Sequence, residues 1–118
     1  MIQKFDIDIY CREFCVCTGS TDAEMARYFD TDFKTDYFPT AAAISFRAWD
    51  KKIDGVQVYA VWFPSDKEKT YRTVSHEAFH IVSYLMQDMQ VEYDANNNEA
   101  FAYAIGHIAN CIRKTIKL

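Results

Sequence analysis

Ser75-His76-Glu77-Ala78-Phe79-His80-Ile81-Val82 contains the pattern H-E-x-x-H: two histidines four residues apart, with a glutamate beside the first. On a helix of 3.6 residues per turn, positions 76 and 80 stack on one face, so both rings can reach a single metal ion. Glu77 sits about 100° further round, near enough to touch a water on that metal without ligating it. The pattern therefore predicts two zinc ligands, His76 and His80, and a general base, Glu77. The competing reading is that the three residues share a solvated helix face and carry no chemistry.

The flanking sequence predicts a helix over 67–89, capped by Ser65 or Asp66 after Pro64, with Glu68 near its positive end. Tyr71, Val74, Ala78, Ile81, Val82, Leu85 and Met89 form its apolar arc. His76 and His80 fall on the opposite arc, with Thr73, Ser83, Tyr84 and Gln87, and the packing does not need them. A turn over 90–96 leads to a last helix over 97–116, which buries Phe101, Ala104, Ile105, Ile108, Ile112 and Ile116. Its other face carries Glu99, Tyr103, Gly106 and Asn110. Small residues at 102, 106 and 109 suggest close approach by a neighbouring helix.

Upstream, Phe5, Ile7 and Ile9 alternate with Lys4, Asp6 and Asp8, the period of a half-buried strand. Phe14 to Cys17 continues it after a bend near Arg12-Glu13, or forms a second strand. Ser20 or Thr21 caps a short helix over 22–30, and 30–40 reads as loop. Ala42 to Trp49, with Ile44 and Phe46 facing in, and Val56 to Phe63 form a hairpin around the turn residues 50–55. Cys15 and Cys17 share one strand face and are expected to pack in a core.

The chain has 118 residues, half of them hydrophobic and a quarter charged, which predicts one globular domain over 1–118. A net charge of −4 disfavours nucleic acid as a partner. Arg113, Lys114 and Lys117 are better read as complementing a helix dipole. No signal peptide and no stretch of ~20 apolar residues is evident, so a cytoplasmic protein with reduced thiols and no membrane partner is expected.

A catalytic zinc usually has three protein ligands and one open position. The metzincin continuation fails, because Ser83 and Met86 stand where Gly and His are needed. Asn98-Glu99-Ala100-Phe101-Ala102 follows His80 at a spacing that resembles the gluzincins, the thermolysin-like zinc peptidases, and in particular their small stand-alone and phage-encoded members. The resemblance covers about residues 40–110. It implies an α+β zincin-like fold: a small, mainly antiparallel twisted sheet, helices on one side, an active-site helix and a C-terminal glutamate helix. It implies Zn2+ held by His76, His80 and Glu99, with Glu77 activating water and then protonating the leaving amine of a peptide or protein substrate.

Full-length members close the cleft with a further subdomain that stabilises the oxyanion. No such subdomain is expected in the residues after Glu99, so Tyr103 and His107 are the polar substitutes available, His107 also as a fourth or competing ligand. Val56 to Phe63 resembles the family's substrate-aligning edge strand. So apolar a strand is expected to be covered by the N-terminal segment or to pair with another molecule. A non-enzymatic protein-binding module on the same scaffold, with or without zinc, is the alternative.

Overall fold

The computed structural model describes residues 1–7, 10–30, 43–50, 57–96 and 98–118. The expected loop at 30–40 and the hairpin turn at 50–55 lie almost wholly outside these residues, so the fold is described from the elements on either side.

Alternation at the N-terminus yields β1 (Ile2–Ile7), paired antiparallel with β2 (Arg12–Thr18). The bend between them falls at Cys11, whose φ of 52° is left-handed, rather than at Arg12-Glu13. Thr21 caps α1 (Asp22–Tyr28) by accepting from the Glu24 amide, with its hydroxyl directed back at the Glu24 carboxylate. A two-residue β3 (Phe29–Asp30) follows, then β4 (Ile44–Asp50) and β5 (Gln57–Phe63), adjacent and antiparallel as expected of a hairpin.

The strand order is β1-β2-β5-β4-β3, and β2 runs parallel to β5. The sheet is thus mixed, with one parallel pairing at its centre. This corrects the view of Val56 to Phe63 as an edge strand. β2 occupies one side of β5 and β4 the other, so the strand is covered by the N-terminal segment and has no free ladder for a peptide. Burial agrees, since every residue from Val58 to Phe63 is at most 1% exposed.

Alternation along β5 feeds two cores. Tyr59, Val61 and Phe63 face one way, with Phe14 and Val16 of β2. Val58, Ala60 and Trp62 face the other, with Cys15 and Cys17. On the first face lie α2 (Tyr71–Asp88) and α3 (Asn98–Thr115), through Val74, Ala78, Ile81, Leu85, Ile108 and Ile112. On the second lies Met25 of α1, with Phe29. Helical cover on both faces replaces the expected one-sided packing. It follows from β5 carrying a continuous run of largely apolar residues from Val58 to Phe63, which demands burial above and below. Cys15 and Cys17 pack as expected, at 0% exposure.

The motif helix begins later than its sequence suggests. Asp66–Glu68 forms a single 3-10 turn, and Thr70, not Ser65 or Asp66, caps α2 by accepting from the Thr73 amide at 3.2 Å. Tyr71 consequently lies in the exposed first turn instead of the apolar arc. α2 ends at Asp88 with Met89 as its C-cap, and the left-handed φ of 58° at Gln90 lets the Val91 amide return to the Met86 carbonyl. On α3 a Cβ added at Gly106 would meet nothing within 4 Å, so among the described residues no helix approaches there. α2 packs on the opposite face, around Ala104 and Ile108. Among the described residues, no helix is long and apolar enough to cross a membrane.

Candidate functional site

The middle of α2 presents three side chains with different fates. His76 is exposed, His80 half-buried and Glu77 buried, at 5% exposure. The stacking expected from four-residue spacing is realised. The two Nε2 atoms are 3.1 Å apart, with ring centroids at 4.7 Å and planes at 74°. Two nitrogens this close share either one proton or one positive ion. In a tetrahedral zinc site with Zn–N of 2.0–2.1 Å, two ring nitrogens stand about 3.3 Å apart. The pair therefore has the separation a metal needs.

Glu77 turns away from solvent toward the sheet. The Ser45 hydroxyl of β4 donates to Oε2, while Oε1 lies 4.0 Å from His76 Nε2. Sequence reasoning missed Ser45, because alternation placed Ile44 and Phe46 inside and so assigned Ser45 to water. In the mixed sheet Ser45 lies opposite Val61, on the face that α2 covers. Its side chain and that of Arg47 form a polar seam beneath α2. Arg47 reaches Asp88 at 3.2 Å and lies 4.6 Å over the Tyr84 ring. Tyr84 donates to the Ser45 carbonyl at 3.3 Å, and Tyr59 donates to Asp88 at 2.5 Å. Burial first, then the Asp88 hydrogen bond, pushes the Tyr59 phenol well above its ordinary value.

The other expected residues sit on α3. Glu99 is exposed on its first turn and Tyr103 is 61% exposed one turn later. Among the described residues, no group of three His, Cys, Asp or Glu side chains converges as a metal site, so Glu99 is not drawn up to the histidine pair. His107 points elsewhere. Its Nε2 is 3.1 Å from the Asp6 carbonyl of β1 and 3.9 Å from Cys111 Sγ, which occupies it at the opposite flank of the domain from β4.

Beyond His80 along the same side of α2, a cleft of about 780 Å³ opens between α2, the 90–93 connection and the start of α3. Phe79, Met86, Val91, Tyr93 and Phe101 give it an apolar lining, with Ser83 and Gln87 at the helix side. Phe79 is 56% exposed and its ring lies 6.3 Å from that of His80. The cleft thus adjoins the histidine pair, and Phe101 brings the first turn of α3 to its far wall. No family model matches the chain, and neither the curated proteins nor the solved structures contain a match.

Proposed function

We propose that this chain is a zinc-dependent peptidase on a zincin-like scaffold, with His76, His80 and Glu99 as ligands and Glu77 as general base. The observation that carries the reading is the 3.1 Å separation of the two Nε2 atoms, next to a buried carboxylate. Bound zinc supplies a Lewis acid for the scissile carbonyl and an acidified water. The two imidazoles match the donor set and spacing of such a site. Glu99 completes it only by reaching in from the first turn of α3. Glu77, whose Oε1 lies 4.0 Å from His76 Nε2, would take a proton from the attacking water and deliver it to the leaving amine. Tyr103, one turn beyond Glu99, is the proposed oxyanion donor. The four free cysteines fit a reducing, cytoplasmic setting.

A second reading is favoured by the apolar cleft. A 780 Å³ groove with an exposed phenylalanine suits a binding module that holds a peptide or protein without cleaving it. Glu77→Gln separates the two. As a peptidase, the variant keeps its fold and its zinc while hydrolysis of an unfolded polypeptide falls by at least ~10². Undiminished hydrolysis in the variant contradicts Glu77 as base. Hydrolysis absent from both proteins, with unchanged peptide affinity, favours the binding module.

A further inference from the structure

We infer that Ser45 is a positioning residue for Glu77, holding its carboxylate so that one oxygen faces the histidine pair; this rests on the peptidase reading. A glutamate side chain has three rotatable bonds, and burial alone does not choose which oxygen faces where. Here Oε2 is taken by the Ser45 hydroxyl, and Oε1 is left 4.0 Å from His76 Nε2. The hydroxyl has one proton and two acceptors within reach, the carboxylate and the Glu77 carbonyl at 3.4 Å. The carboxylate is the closer and, when ionised, the stronger acceptor.

The donor stands on rigid ground. Ser45 lies opposite Val61 of the central strand, and its carbonyl accepts from Tyr84, one helical turn beyond His80. The Tyr84 ring is in turn covered by the Arg47 guanidinium at 4.6 Å. β4 and α2 are thereby tied at the level of the motif, which fixes the Ser45 backbone beside the carboxylate its hydroxyl reaches. Outer-shell groups that hydrogen-bond and orient the residues of a metal site typically change metal affinity or activity by ~10–100-fold when lost.

The test uses the matched pair Ser45→Thr and Ser45→Val, equal in size and differing by the hydroxyl, with folding checked by circular dichroism. Both are good strand residues, so the pair stays usable if Ser45→Ala unfolds. The first readout needs neither metal nor activity: three-bond couplings along the Glu77 side chain in metal-free protein. Single-rotamer couplings are expected in wild type and Ser45→Thr, and averaged couplings in Ser45→Val. Single-rotamer couplings in Ser45→Val overturn the inference. If the peptidase reading fails and no hydrolysis is found, averaged couplings in Ser45→Val still support the positioning. In active protein, kcat falls ~10-fold or more in Ser45→Val with KM within about twofold, and Ser45→Thr restores it. A stability loss in Ser45→Val with kcat unchanged would reduce Ser45 to a structural tie and refute the inference.

Discussion

Cys17 shows how burial at one residue sets a pH limit for the whole fold. It is 0% exposed between β1 and β5, and burial, with Cys15 adding to it, pushes its thiol far above the ordinary 9.0. The folded chain keeps this proton above pH 9 while the unfolded chain releases it. The unfolded state then binds fewer protons, and stability falls as pH rises. The slope is at most about 1.4 kcal/mol per pH unit for this one thiol. Tyr59, raised from 10.0, adds to the loss at still higher pH. Urea midpoints should therefore drop between pH 8.5 and 10.5, and drop less in Cys17→Ala. Equal pH profiles for the two proteins would show that Cys17 is not responsible. Residue-level chemistry at the motif was legible for the same local reason that Cys17 was. Four-residue spacing fixes His76 against His80, and two-residue spacing fixes Cys15 beside Cys17. The partner of Glu77 was not legible, because Ser45 is 32 residues away and becomes a neighbour only through sheet pairing and helix docking.

At the level of elements, periodicity found the three α-helices and the strands β1, β4 and β5, left open whether β2 was a separate strand, missed the two-residue β3 and the 3-10 turn, and erred on where elements begin and what surrounds them. α2 starts at Tyr71 because Asp66–Glu68 closes a separate 3-10 turn, tied by Lys69 to Asp66. The sequence reading placed the cap at Ser65 or Asp66, and only the path of the chain out of β5 selects Thr70. The larger error concerned β5. An apolar run of this length fits an edge strand awaiting a partner or a strand buried on all sides, and local pattern does not separate them. The parallel pairing with β2 decides for burial, and it reverses the expected effect of a proline there. On an edge, proline at Val58 or Tyr59 would remove one donor and spare the fold. In the central strand, Tyr59→Pro disrupts the ladder between β2 and β4, and also removes the hydroxyl that donates to Asp88. A cost of ~3 kcal/mol or more is expected, enough to unfold a domain of marginal stability. Thermal denaturation followed by circular dichroism would report it. A Tyr59→Pro protein with wild-type melting behaviour would restore the edge-strand view.

For the molecule as a whole, two cores share one sheet, and they divide the labour. The α1 side, with Trp62, Met25 and Phe29, has no described role beyond packing. The α2–α3 side carries the histidine pair, the buried glutamate and the apolar cleft on a single helix and its margins. An α+β domain with a mainly antiparallel sheet was readable from the order of elements, and the parallel β2–β5 pairing that makes the sheet mixed was not. Whether α3 brings Glu99 to α2 was not, since it depends on the angle and depth at which two helices pack. Glu99 is also where the account is most exposed, because it is the only proposed ligand the fold does not hold beside the others. The most direct measurement is the zinc content of protein purified without added metal, with zinc titration of the same sample, for wild type, His76→Ala and Glu99→Ala. The account predicts about one zinc per wild-type chain and markedly weaker binding in both variants. A wild-type protein that neither carries nor takes up zinc, or a Glu99→Ala variant that binds it as tightly as wild type, would contradict the assignment.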